Sequence, residues 1–336
     1  MVLLQPEVTA VIVRRVPSLP AIGLVAMLVA GCGGAAASPA TPAPSSSQSA
    51  GESAGQSPAN STGSIGASAS SAAVPDFAHV YVLVLENHEY SSVVGSSSAP
   101  YLNGLIAKYG FATNYTAVSH PSQPNYIALF SGSTQGIADD GTHNLSGQNL
   151  ADQLEAKGKT WSVFAQDYPG GCFTGGTNSG TGDGIGSAGS YARKHDPAIS
   201  FTDIASSPSR CARISSLTGF DPAAADFELI VPNDCNDMHS CSVATGDAFL
   251  KAFVPKITES PAFASSVLFI TFDEGTSDIG GGGRVATVVV SPLTAAGSTS
   301  GAAYNHYSIL RTIEDAWGLG CLGQSCTAGD MGQFFK

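Results

Sequence analysis

From Asp76 onward, short apolar runs alternate with stretches of helical spacing, and that alternation constrains the fold more than any other feature. HVYVLVLE (79–86), WSVFAQD (161–167), FELIVPND (227–234), VLFITFDE (267–274) and RVATVVVS (284–291) are rich in Val, Ile and Phe. They read as buried strands. Between them, APYLNGLIAKYG (99–110), SGQNLADQLEAKG (146–158), TGDAFLKAFVPKITES (245–260) and NHYSILRTIEDAWGL (305–319) carry apolar residues at helical spacing. In the last, Ile309, Ile313 and Trp317 share one face, Asn305 is placed to cap the start and Gly318 to close the end. The pattern predicts an α/β domain over residues 76–336, with a mostly parallel central sheet covered by helices on both faces. No internal repeat is visible.

The segment before this domain is of another kind. Arg14 and Arg15 precede AIGLVAMLVAGC (21–32), an apolar run too short for a stable membrane anchor. It closes on Val29-Ala30-Gly31-Cys32, which resembles a bacterial lipobox, where the cysteine becomes the lipid-bearing first residue. Residues 1–31 are therefore expected to be a lipoprotein signal peptide; the alternative is an ordinary signal peptide beside an incidental cysteine. Residues 32–75 are nearly all Ser, Ala, Gly, Pro, Thr and Gln. Such a composition buries too little apolar surface to offset chain entropy, and predicts a disordered tether. The protein is thus expected to be exported, either lipid-anchored through Cys32 on the outer face of the cell membrane or shed. Two glycine motifs mean nothing in their setting. Gly51-Glu52-Ser53-Ala54-Gly55 lies in the tether, and Gly184-Ile185-Gly186-Ser187-Ala188-Gly189 follows no strand.

Setting Cys32 aside leaves six of the seven cysteines, an even number that suits disulfides in an exported chain. Cys235 and Cys241, and Cys321 and Cys326, are near enough in sequence to close small loops, which leaves Cys172 to pair with Cys211. Metal-binding thiolates are the rival, weakened by the lack of any C-x-x-C spacing. The 14 Lys and Arg stand against 26 Asp and Glu, a net charge of −12. That balance argues against nucleic acid or an anionic membrane as a broad electrostatic partner. It leaves room for a small phosphate ester bound locally by a metal.

The strands end in acid. The first finishes in Glu86-Asn87-His88, the third in Asn233-Asp234 with Asp237 and His239 beyond, and the fourth in Asp273-Glu274. In open α/β sheets the ligand site lies outside the carboxyl ends of the strands, so three strands deliver carboxylates to one rim. At ~4 Å, each pair would repel by roughly 4 kcal/mol at an effective dielectric near 20. The cluster must take up protons or hold a cation, and its oxygens with one neutral amide suit a divalent metal. Ser122 stands between Pro121 and Gln123-Pro124, stiffly mounted, as a nucleophile would be. A bound cation would activate its hydroxyl. Pro124 and Asn125 read as the first turn of a helix whose free N–H groups face the attacked phosphate.

At this point VLVLENHEY, SHPSQPNYIALFSG, YARKHDP, VPNDCNDMHSC, FITFDEG and NHYSILRTIEDAWGL, in this order, resemble the bacterial phosphoesterase family of secreted acid phosphatases and phospholipases C. The likeness is strongest to small secreted acid phosphatases that dephosphorylate phosphoinositides, and more remotely to the alkaline-phosphatase superfamily. The resemblance implies an alkaline-phosphatase-like fold and metal-dependent hydrolysis of phosphate monoesters through a phosphoserine on Ser122. It implies Glu86, Asn87, Ser122, Asp273 and Glu274 as ligands of a divalent metal, and Asn125 as the amide that steadies a phosphoryl oxygen. Asp237, His239 and His306 fall where two-metal relatives place a second ion, although the spacing of Asp237 and His239 departs from theirs. The same histidines could instead bind phosphate or protonate the leaving oxygen. His195, with Lys194, faces the substrate in the family's pattern, and His120 is placed to contact the leaving group; a plain structural turn accounts for either as well. His79, opening a strand, reads as structural.

Three other functions compete. A phosphodiesterase or phospholipase C would use the same site; larger phospholipases of the family add a C-terminal domain. A sulfatase would need an arginine where Tyr126 stands. A non-catalytic surface binding lipoprotein would hold calcium in a carboxylate cage without a serine beside it.

Overall fold

The computed structural model describes residues 73–179 and 189–336. The expected signal peptide, Cys32, the tether up to residue 72 and nearly all of the 184–189 motif lie outside these residues.

Eight strands form one sheet: β1 (Val80–Leu85), β2 (Gly110–Ala112), β3 (Trp161–Ala165), β4 (Ile214–Ser215), β5 (Phe227–Val231), β6 (Val267–Phe272), β7 (Thr287–Val290) and β8 (Thr299–Ser300). Their spatial order is β8-β2-β7-β6-β1-β5-β3-β4. Strand β1 lies at the middle, parallel to β5 on one side and to β6 on the other. Only β7 runs against its neighbours, β6 and β2. All five apolar runs singled out in the sequence are strands of this sheet, and the expected α/β architecture with a mostly parallel sheet is observed.

Every residue of β1 and β6 is buried, so both faces of the sheet centre are covered. Each fully buried Val, Leu or Phe there contributes roughly 1.5–3 kcal/mol. The larger helices are α1 (Pro100–Lys108), α2 (Ser122–Ser131), α3 (Leu150–Ala156), α4 (Val243–Thr258) and α5 (His306–Trp317). Helix α1 packs on α4, and α2 on α5. The first pair is also tied electrostatically. Asp247 of α4 accepts from the backbone N–H groups of Tyr101 at 3.0 Å and Leu102 at 2.8 Å, satisfying the free donors that open α1. Asn305 caps α5 as expected, accepting from Tyr307 N–H at 3.1 Å, and Gly318 ends it at φ 58°.

Helix α2 is buried along its whole length. It stops at Gly132, whose φ of 71° suits glycine; an added Cβ there would lie 1.9 Å from the carbonyl oxygen of Leu322. The helix is therefore clamped at its end and presents its start, Ser122, to the carboxyl edge of the sheet. The helix opens on Ser122 itself, two residues before the proline that marks its first turn in the sequence. All three expected disulfides, Cys172–Cys211, Cys235–Cys241 and Cys321–Cys326, are formed. Among the described residues no helix is long and apolar enough to cross a membrane.

Candidate active site

Because β6, β1 and β5 are adjacent and parallel, their carboxyl ends open on one place. Leu85 pairs with Phe272, which sets the next residues, Glu86 and Asp273, side by side. The ladder continues past the strands: Asp273 N–H donates to Leu85 O and Glu86 N–H to Asp237 O, both at 2.8 Å. Asn87 then takes a left-handed turn at φ 52°, a conformation asparagine tolerates better than most residues. Its backbone N–H donates to Asp273 Oδ1 at 3.0 Å and its side-chain amide to Glu86 Oε2 at 3.4 Å.

Ser122 meets this cluster from the head of α2. Its hydroxyl reaches Glu86 Oε2 at 3.0 Å and Glu274 Oε1 at 3.3 Å, and both it and Glu86 are buried. The five residues expected to surround a metal are thus brought together. One turn along α2, Tyr126 donates to the other oxygen of Glu86 at 2.6 Å. In the sequence Tyr126 stands out only as the residue that excludes a sulfatase, although its spacing of four from Ser122 places both on one helix face.

Asn125 is also buried, and its amide is fully engaged by the loop before the helix. Oδ1 accepts from Val118 and Ser119 N–H, while the amide nitrogen donates to Ser119 O at 2.8 Å and Pro121 O at 3.3 Å. It braces the segment that carries Ser122, and no free N–H is left over for a phosphoryl oxygen.

The histidines separate into different kinds. His306 donates Nε2–H to Asp273 O at 2.6 Å and accepts from Tyr115 O–H at 3.1 Å on Nδ1, so both nitrogens are occupied. Burial holds its pKa down, at about 4, in keeping with a neutral ring. It supports Asp273 from behind instead of lying open to a second ion. His120 contacts Glu274 Oε2 at 2.5 Å and Ser277 O at 3.0 Å. Burial alone would lower its pKa, but the Ser277 carbonyl and Glu274 outweigh it and the net shift is upward. His239 is exposed at the rim, its ring centroid 6.0 Å from that of His195, with Nδ1 beside Ser240 Oγ at 3.2 Å. His79 bonds Ala225 O at 2.8 Å, the structural role its place at a strand start suggests.

His195 lies deeper than a substrate-facing residue would. Its Nε2 is 3.1 Å from Glu86 Oε1 and its Nδ1 is 3.3 Å from Asp237 Oδ2, all three groups being buried. Glu86, His195 and Asp237 each offer a ligand atom within 4.8 Å of the others. Two carboxylates beside an imidazole should favour its charged form, yet burial, with Lys194 and His239 near, pushes the His195 pKa well down. Burial decides, because the same desolvation raises the carboxyls around it. Glu86 moves well above its ordinary value through burial and the charges of Asp273 and Asp237; Asp237 and Asp273 each rise to about 8, again mainly through burial. A neutral ring has one N–H for two carboxylates, so one carboxylate faces a lone pair and needs a proton or a cation between. Asp237 Oδ2, Asp273 Oδ2 and His195 Nε2 make no hydrogen bond although buried. Buried carboxyls with raised pKa values beside an imidazole held neutral fit a divalent cation.

Lys194 completes the rim. Its ammonium pairs with Asp140 Oδ2 at 2.9 Å, and its charge acts on Glu86, Asp237 and Asp273.

The sequence pattern of the Phosphoesterase family matches residues 92–320. Phosphatidylinositol-3-phosphatase from Mycobacterium tuberculosis is 33% identical over 267 residues, 79% of this chain and 84% of that protein. A probable acid phosphatase from Kluyveromyces lactis is 30% identical over 260 residues, 74% of this chain but 60% of the yeast protein's length. Among solved structures, a protein in the alkaline phosphatase superfamily from Vibrio parahaemolyticus has a TM-score of 0.50 at 11% sequence identity, over 77% of this chain and 71% of that one. That likeness is one of fold.

Proposed function

The chain belongs to the Phosphoesterase family, and from that premise we propose that residues 76–336 hydrolyse phosphate monoesters through Ser122 with the help of a divalent cation. One observation carries the reading: the Ser122 hydroxyl sits, buried, between Glu86 at 3.0 Å and Glu274 at 3.3 Å. A serine held against two carboxylates at the head of a helix has no structural need of them. Glu86, Asn87, Asp273 and Glu274 would hold the cation, with Ser122 as a further ligand. When bound, it neutralises the carboxylates and the phosphate and lowers the pKa of the serine hydroxyl.

The chain's own groups account for the remaining steps. Ser122 loses its proton to a carboxylate it already donates to. Its Oγ forms a bond to phosphorus as the bond to the ester oxygen breaks, in line. The departing oxygen takes a proton from His239, which is exposed at the rim. Water then attacks the phosphoserine, the Oγ–phosphorus bond breaks, Ser122 regains a proton and inorganic phosphate leaves. The N–H groups that open α2 and the Lys194 ammonium stabilise charge on the phosphoryl oxygens. His195 lies between Glu86 and Asp237, at 3.1 and 3.3 Å.

The name of the M. tuberculosis relative makes a phosphoinositide headgroup a natural substrate to try. Three disulfides support an exported protein, since such bonds persist in oxidising compartments, and Cys32 is the proposed lipid attachment point. The deciding experiment measures phosphate release from p-nitrophenyl phosphate and from its bis-ester by metal-stripped and then metal-replenished protein. Turnover of the monoester restored by metal, together with an acid-stable labelled Ser122, is the expected result. Equal turnover with and without metal would remove the cation from the reaction.

A further inference from the structure

After Ser122, the next backbone N–H of the ten-residue helix α2 belongs to Gln123. Its direction is that of the helix's positive end, where an anion is favoured. It is taken: Asp140 Oδ1 accepts from it at 2.9 Å. The other oxygen of the same carboxylate, Oδ2, lies 2.9 Å from Lys194 Nζ. One intramolecular carboxylate therefore bridges a helix-terminal N–H and an ammonium, the two donor types that would grip a phosphate in this reading.

The neighbours make this arrangement informative. Lys194 lies near enough to the acid cluster for its charge to act on Glu86, Asp237 and Asp273, and its ammonium contacts Asp140. Asp140 comes from a separate loop and is partly exposed. Its charge also raises Glu274, so it stands close enough to the cluster to be repelled by it. A helix cap alone would call for a hydroxyl or an amide as readily as a carboxylate. A lysine counter-ion alone would not need the Gln123 N–H. Holding both with one partly exposed carboxylate beside the nucleophile is the arrangement of a stand-in for substrate.

We propose that Asp140 is a resident anion that occupies the substrate phosphate's donors in the free protein, so that phosphate binds by displacing it from Lys194 and the Gln123 N–H. The inference rests on the phosphatase reading above. It follows that Asp140 weakens the hold on every phosphate, product included, and weakens it more for a singly charged diester than for a dianionic monoester. Asp140 is then a specificity residue that favours monoesters and helps product to leave.

The test titrates inorganic phosphate calorimetrically into metal-loaded wild type, Asp140→Asn and Lys194→Met, with turnover of p-nitrophenyl phosphate and its bis-ester measured in parallel. Asparagine keeps an oxygen for the Gln123 N–H while removing the charge; Asp140→Ser serves as a second capping variant should the first fold poorly. A partly exposed ion pair removed in this way should tighten phosphate roughly two- to fivefold and lower KM alike. Bis-ester turnover should rise relative to monoester turnover. Lys194→Met should weaken phosphate, and adding Asp140→Asn to it should change little. Unchanged or weaker phosphate binding in both Asp140 variants, with the wild type turning over the monoester, would make Asp140 only a helix cap and overturn the inference. A wild type that turns over no ester would overturn the phosphatase reading and this inference with it.

Discussion

Ser122 Oγ donates to Glu86 Oε2 at 3.0 Å, joining the head of α2 to the end of the central strand β1. The two residues are thirty-six apart in the chain, and neither has an apolar reason to be buried there. Ser122→Ala is expected to keep the fold, since it removes a hydroxyl whose two partners are acceptors already crowded by like charge. Monoester turnover should fall roughly a thousandfold or more, as for removal of a nucleophile elsewhere. Unfolding temperature and steady-state turnover, measured on the same sample, check both halves; a variant with wild-type turnover excludes Ser122 as nucleophile.

Tyr126 donates to the second oxygen of Glu86 at 2.6 Å, inside the protein. Tyr126→Phe leaves that oxygen without its donor, and hydrogen bonds to charged groups contribute about 1.5–3 kcal/mol. Loss of such a supporting contact typically weakens metal affinity about 10- to 100-fold. Calorimetric titration of a divalent cation into the stripped variant should show this, with turnover recovering at saturating metal. Unchanged affinity would mean that Tyr126 only packs.

Much of this was legible in the sequence because strand ends carry their own signal. Glu86, Asp273 and Glu274 directly follow apolar runs whose order and parallel pairing bring them together. Their meeting with Ser122 needed only the expectation that ligands gather at carboxyl ends. His195 was harder. It sits on a single 3₁₀ turn, Arg193–His195, outside any periodic element, so nothing local says that it faces inward to Glu86 and Asp237. Asn125 shows the opposite limit: its position beside the nucleophile was plain, but whether its amide faces ligand or loop depends on the path of residues 118–121. Asp140 left no trace in the sequence, because its partners, Gln123 and Lys194, lie on other elements.

The disulfides divide between stability and activity. Cys235–Cys241 closes a loop of six-residue separation that holds Asp237, Met238 at φ 83° and His239, and the loop is stitched to the site through Glu86 N–H and Asp237 O. In the chain-entropy account so small a loop gains about 2 kcal/mol, whereas the 39-residue separation of Cys172–Cys211 gains about 4 kcal/mol. Replacing Cys235 and Cys241 by serine should therefore reduce turnover strongly with a modest fall in unfolding temperature. Replacing Cys172 and Cys211 should do the reverse. Thermal melts beside kcat for the two double variants decide; the same ranking in both measurements would show that the small loop has no special hold on the site.

Glu228 supplies a pH prediction away from the site. It lies near the start of β5, fully buried, with Ala225 N–H donating to Oε1 at 3.2 Å and Oε2 without a partner. Burial, together with the charge of Asp221, raises its pKa from 4.5 to about 8. For a carboxyl raised in the folded state, the protonated form is favoured by folding. Its stabilising contribution is complete below the unfolded value near 4.5 and is lost as pH climbs through about 8. Glu228→Gln removes the titration while keeping the shape. Its unfolding temperature should match the wild type near pH 4 and exceed it near pH 9, by roughly 2–4 °C for each kcal/mol relieved. A difference that stays constant from pH 4 to pH 9 would show that Glu228 titrates alike in the folded and unfolded chains, and that burial does not raise its pKa.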